Sequence, residues 1–141
     1  MTFKHFRIFR RVYWMDAKLH HLEFCDYDGK YRYQVLTGNS RLNHPFSLTL
    51  FEDTIYWTDW FDNSIRYTSK YPGDSVHYLH NSSSRLMDIH VVHPVKQPEG
   101  NSLRLHSPIQ STFPRVDTGV KNATSNYKIR TIEWSDKVLF M

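Results

Sequence analysis

The sequence predicts an all-β chain, part of a β-propeller, with about two four-stranded antiparallel blades and an irregular C-terminal tail. Three observations predict it. Tyr13-Trp14-Met15-Asp16 returns as Tyr56-Trp57-Thr58-Asp59, 43 residues later, and a Trp-Asp signature recurring every ~40–45 residues marks a propeller blade. Each copy is followed by a turn signal and then another strand-like run. Aromatic residues make up 16% of the chain against five glycines, a composition that fits pleated, half-buried surfaces. One blade cannot bury both of its faces alone, so the repeat implies stacked neighbours.

Taken in order, the first motif copy at 13–16 is a strand. Residues 22–25 and 31–36 flank Asp28-Gly29, a hairpin turn signal between alternating runs. The stretch 38–43 is a polar connection. Residues 45–51 form an innermost strand, with Pro45 at its start, where a missing N–H is tolerated. Glu52-Asp53 turns the chain into the motif strand, 54–60. A loop at 61–63 leads to a third strand at 64–69, a Pro72-Gly73 turn and an outer strand at 75–79. After a polar link at 81–84, residues 87–92 open a further strand, and 94–100 end regular structure. The stretch 101–126 is dominated by Ser, Thr, Asn and Pro and is expected to be loosely ordered. Strand content returns around Ile129, Ile132, Val138 and Phe140.

The second motif strand shows why neighbours are needed. Side chains alternate across a strand, so Ile55, Trp57 and Asp59 point one way and Tyr56, Thr58 and Trp60 the other. A strand with one wet face carries polar residues at alternate positions. Here both faces carry large aromatics, so both meet protein. An Asp in such a strand is costly unless it accepts hydrogen bonds. Asp16 and Asp59 are therefore read as ties between strands or blades rather than as catalytic carboxylates.

These residues resemble the class B (YWTD) repeats of the low-density lipoprotein receptor family. The likeness extends past the motif to Ala17-Lys18-Leu19-His20, to the Asp26-Tyr27-Asp28-Gly29 turn and to Arg32. It continues through His44-Pro45-Phe46 into the second motif copy, and through Met87-Asp88-Ile89-His90 to Pro98. It is greatest to the receptor-related co-receptors of Wnt and neuromuscular signalling. Three parts follow: an unmatched lead at 1–10, partial YWTD propeller blades at 11–100 and a divergent, partly disordered tail at 101–141. In the family the exit from the propeller enters a cysteine-rich module, whereas no cysteine follows Gly100 here. The family's propeller has six blades, of which this chain supplies about two.

The resemblance implies a non-enzymatic, ligand-binding segment of a cell-surface receptor in endocytosis or Wnt-type signalling. The parent would sit at the plasma membrane, facing outward, and bind extracellular protein ligands. The alternative is a truncated or non-functional receptor fragment, acting at most as a small protein-interaction module. The first eleven residues are basic and aromatic without an apolar stretch, a poor secretory signal. No run approaches the ~18 apolar residues of a membrane-spanning helix.

Charge argues against a nucleic-acid surface. The net charge is +4, yet 13–100 hold eight Lys or Arg against eleven acids, and the basic excess lies at the two ends. A nucleic-acid footprint needs basic residues clustered on the folded element. Cys25 is the single cysteine and cannot close an internal disulfide; it is read as a small residue on a strand. Nine histidines invite a metal hypothesis, but His77 with His80 and His90 with His93 fall on opposite faces of a strand. No cofactor is expected. The sequence has no nucleophile elbow or Gly-rich phosphate loop, so no catalytic residues are assigned.

Three residues are candidates for ligand binding, all through the resemblance. In the low-density lipoprotein receptor branch, histidines at the positions of His20 and His44 engage the acidic ligand-binding repeats of the same receptor at endosomal pH. An imidazole with an ordinary pKa of ~6.5 gains charge over that interval. In the Wnt co-receptor branch, a tryptophan at the position of Trp60 lines the ligand-facing end, and a half-exposed Trp suits a binding anchor. The plainer alternative is a polar loop position for His20 and His44, and packing against the neighbouring blade for Trp60. Asn81 and Asn122 head glycosylation sequons, which take glycan only in a secreted chain.

Overall fold

The computed structural model of the chain describes residues 10–38, 40–95, 120–121 and 127–133. Within them β1 (Arg11–Asp16), β2 (His21–Asp26) and β3 (Tyr33–Thr37) form an antiparallel sheet in chain order. A four-stranded antiparallel meander follows, made of β4 (Pro45–Phe51), β5 (Thr54–Asp59), β6 (Ser64–Ser69) and β7 (His77–Asn81). β8 (Leu86–Val92) begins a third sheet with β9 (Val120–Lys121) and β10 (Lys128–Glu133), in the spatial order β8-β10-β9. The described residues contain no helix, and so none long and apolar enough to cross a membrane. This is the all-β, partial propeller arrangement read from the repeat.

The two motif copies occupy matching places. Tyr13 stands opposite Phe24 and Trp14 opposite Glu23 in the first sheet. Tyr56 stands opposite Tyr67 and Trp57 opposite Arg66 in the second. The turn after each motif strand contains a left-handed residue at the same point, His20 (φ 54) and Asn63 (φ 53). Both residue types visit this region more readily than most.

The alternation of β5 builds the core on both sides. Ile55 and Trp57, both 0% exposed, pack with Leu22, Phe24, Val35, Leu36 and Leu42 between the first and second sheets. Tyr56 points the other way, into a cluster with Phe51, Ile65, Leu86, Ile89, Val91, Tyr127 and Ile129. Removing an aromatic side chain of this size from water is worth ~4–6 kcal/mol before ordering costs. One strand thus welds two interfaces.

Several boundaries differ from the sequence reading, each for a local reason. The Asp28-Gly29 turn is wider than a two-residue hairpin. Gly29 (φ 77) donates its N–H to the Asp26 carbonyl, Asp26 donates to the Lys30 carbonyl, and Tyr31 is also left-handed (φ 53). Strand pairing resumes only at Tyr33. The motif strand stops at Asp59, not at 60, because the Asp59 carboxylate accepts the Phe61 N–H and turns the chain. The outer strand runs two residues later than 75–79, at His77–Asn81, so Asn81 pairs with Ser64 rather than lying in the link. The strand content around Ile129 is β10; Val138 and Phe140 lie outside the described residues. Of the lead at 1–10, only Arg10 is described.

Candidate functional site

The short link between β3 and β4, residues 41–44, is held by side chains from both of the first two sheets. Arg66 Nη1 donates to the Arg41 carbonyl (3.1 Å), and the His20 ring bonds through Nδ1 to the Leu42 carbonyl (2.6 Å). The Asp59 carboxylate accepts the N–H groups of Asn43 (3.2 Å) and His44 (3.1 Å), and the Trp60 N–H donates to the His44 carbonyl (2.9 Å). Leu42 is 0% exposed and plugs the core beneath. His20, His44, Asp59 and Trp60, singled out in the sequence, thus meet on one stretch of backbone at one end of the strands.

On this platform sits an aromatic stack. The His44 ring lies parallel to Trp60, with centroids 5.7 Å apart and planes 3° apart. Phe46 stacks on Trp60 at 4.0 Å and 16°. The Arg85 guanidinium stands 5.2 Å from the Trp60 ring centroid, a cation–π distance. Trp60 Nε1 donates to the Leu86 carbonyl (2.9 Å), which fixes the indole. Phe46 reaches Trp60 because β4 is bulged: Pro45 pairs with Asp59 and Leu48 with Trp57, so Phe46 and Ser47 together oppose Thr58. A bulge re-aims a side chain in this way. Ser47 N–H bonds to Thr58 Oγ1 (3.2 Å), holding the bulge in place.

The result is an exposed apolar surface with the Arg85 cation at its edge. Phe46 is 47% and Phe61 74% exposed, Trp60 is half-buried, and His44 and Arg85 are exposed. Phe46, Phe61 and Arg85 were not singled out in the sequence. Their signal was present, since Phe46 and Phe61 flank the identified His44 and Trp60, but exposure is set by the bulge and turn.

The two motif carboxylates are held differently. Asp59 is 0% exposed, with Arg66 Nη1 3.8 Å away. Arg66 is itself 1% exposed, held by Asp62 (2.7 Å) and Ser64 Oγ (3.0 Å), with its guanidinium 4.7 Å from the Tyr78 ring centroid. A buried guanidinium is tolerable only when its charge and donors are met this fully. Asp16 is half-buried and accepts the N–H groups of Lys18 and Leu19, each at 2.8 Å. The Leu19 hydrogen bond is the main reason its carboxyl lies below the ordinary value of 3.8. Glu23, at the place of Arg66, is buried and paired with Arg32 at 2.5 Å.

The remaining candidates lie elsewhere. Tyr13 is half-buried, its ring 5.3 Å from that of Phe24, and Trp14 is half-buried with the Arg32 guanidinium 5.3 Å from its ring centroid. Asn81 is exposed on the outer strand β7. Asn122 lies outside the described residues. Cys25 is a free thiol, half-buried on β2. Among the described residues no three His, Cys, Asp or Glu side chains gather as metal ligands. At the opposite end of the strands a cleft of ~550 Å³ is lined by Arg11, Tyr13, Leu50, Asp53, Lys70 and Tyr71.

In comparison with known proteins, residues 10–52 match the family model of the low-density lipoprotein receptor repeat class B. The chain is 43% identical over 88 residues to low-density lipoprotein receptor-related protein 4 of Homo sapiens, and equally to its counterparts in Mus musculus and Rattus norvegicus. The matched stretch is 62% of this chain and 4% of each relative.

Proposed function

From a chain that carries a partial class B (YWTD) repeat region of the low-density lipoprotein receptor kind, we propose a ligand-binding role for the exposed end around Trp60. The chain is a contact module, not a catalyst: a segment of a cell-surface receptor that binds extracellular proteins in endocytosis or Wnt-type signalling. The observation that carries this reading is the stack of His44, Trp60 and Phe46 on a link whose backbone is bonded from two sheets. Rigid aromatic surface with little left to order is what a protein-binding anchor requires. Of the possible segments, 11–100 is the receptor-like part.

His44 is exposed on the stack, and His20 is bonded to the same link. The proposed role of the two histidines is to strengthen binding to an acidic module as the pH falls, the use that imidazoles serve in pH-switched interfaces generally. The test is a binding titration with an acidic ligand-binding repeat at about pH 7.4 and pH 5.5, using the native chain and a His20→Ala, His44→Ala double variant. Tighter binding at the lower pH in the native chain alone supports the reading; equal pH dependence in both overturns it. Asn81, exposed on β7, is the proposed glycan acceptor in a secreted form of the chain.

A further inference from the structure

β10 lies outside the two Tyr-Trp-x-Asp copies at 13–16 and 56–59, yet it lies where a motif strand would lie. Beside β4, the motif strand β5 places Ile55 opposite Leu50, Trp57 opposite Leu48 and Asp59 opposite Pro45. Beside β8, β10 places Ile129 opposite Val91, Thr131 opposite Ile89 and Glu133 opposite Leu86. Even the irregularity recurs. Leu86 pairs with Glu133 and Asp88 with Ile132, leaving Met87 as the extra residue where β4 has its bulge.

The seating is apolar and alternating. Tyr127, Ile129 and Thr131 are buried at 7%, 0% and 3%, while Lys128 and Arg130 are exposed. Tyr127 and Ile129 join Phe51, Tyr56, Ile65, Leu86, Ile89 and Val91 in one core. The Tyr127 ring packs on Phe51 (4.6 Å) and edge-on to Tyr56 (6.0 Å), and the two tyrosine hydroxyls are hydrogen-bonded.

The connections differ sharply. β4 reaches β5 through Glu52 and Asp53 alone, whereas the chain leaves β8 at Val92 and returns beside β8 only at Lys128, after passing through β9 at the far side of β10. A tight hairpin cannot exchange its partner. A strand on a long connection is held by its own contacts and by an effective concentration on the order of millimolar. Exchange of such an element between identical chains is a low-cost route to a dimer.

We infer that the edge of β8, floored by Phe51, Tyr56 and Ile65, is a strand-acceptor groove. Its occupant in the monomer is this chain's own Lys128–Glu133 with Tyr127, and a second copy of the chain donates the same segment in trans. Recognition is by β-augmentation: ladder bonds to β8 supply affinity, and the aromatic, aliphatic and hydroxyl side chains at alternate positions set the register.

The experiment uses the full chain with a specific protease site inserted after Gly100, cut once after folding. The C-terminal fragment is expected to remain with the body through gel filtration at micromolar concentration. A fluorescent peptide of residues 126–134 is expected to enter the cut complex and displace the fragment, and the same peptide carrying Ile129→Asp to bind at least ~30-fold more weakly, as loss of a central buried anchor implies. In uncut chains labelled separately with donor and acceptor dyes, energy transfer is expected to rise with protein concentration and to be suppressed by excess native peptide. Release of the fragment from a body that keeps its β-sheet circular dichroism overturns the groove, as does equal binding of the two peptides. Absence of concentration-dependent transfer up to millimolar overturns the second copy as donor. None of these readouts involves the Trp60 end, so failure here leaves the proposed ligand-binding role standing, and the reverse.

Discussion

The Asp59 carboxylate receives the backbone N–H of His44 at 3.1 Å, so the last residue of one motif fixes the entry to its own sheet's first strand. It also receives Asn43 and Phe61 and faces Arg66 at 3.8 Å, all without exposure. Asp59→Ala removes the acceptor of three backbone donors and one partner of a buried guanidinium. Loss of about 3–5 kcal/mol is expected, as for other broken buried pairs, read as a lower denaturation midpoint in urea. An unchanged midpoint would mean that Asp62 alone satisfies Arg66.

Trp60→Ala takes away the surface on which His44, Phe46 and Arg85 converge, but Trp60 is only half-buried and lies outside both core clusters. Ligand affinity should fall ~30-fold or more, the scale of a hot-spot residue, with the fold retained. Binding by surface plasmon resonance beside circular dichroism separates the two effects. Collapse of the sheet signal would assign Trp60 to packing instead.

Leu22 is 0% exposed between the first two sheets, against Ile55 and Trp57. Leu22→Ala should cost about 2–5 kcal/mol, depending on how far the cavity closes. If the two sheets were independent, the variant would unfold the first and leave the Trp57 fluorescence transition in place; one shared transition is expected.

Asp16 supplies an acid-dependent contribution. Its folded carboxyl lies below the ordinary 3.8, chiefly through the Leu19 N–H. The stabilisation is therefore complete above that ordinary value and is lost as pH falls through the lowered one. Asp16→Asn should lower stability at neutral pH and flatten the stability profile at the acid end. Parallel acid profiles for the two proteins would show that the turn does not depend on the charge.

How much of this was written in the letters depends on range. The alternation of Ile55, Trp57 and Asp59 against Tyr56 and Thr58 is a period-two signal inside one strand, and it correctly foretold two packed faces. The meeting of His20, Asp59, Arg66 and Trp60 on the 41–44 link was not legible, because most of the bonds run to backbone groups that every residue possesses. Leu42 is fully buried inside a stretch that otherwise reads as polar connection. Arg66 illustrates the limit for charges. A lone arginine in a strand reads as a solvated residue, and only the arrival of Asp62, Ser64 and the Arg41 carbonyl makes its burial tolerable. The strand at Ile129 was visible as composition, but its partner was not, since nothing local in Lys128–Glu133 names β8.

The spatial order β8-β10-β9 also sets a timetable. On a ribosome the first two sheets are complete once residue 81 has emerged, and each of their pairings links neighbouring strands. β8 must then wait without a ladder partner until residue 133 is made. Pairings distant in sequence form slowly, and unpaired edges invite association in the interval. The nascent chain is therefore most vulnerable between the emergence of β8 and that of β10, and a chaperone that shields extended apolar strands would act there.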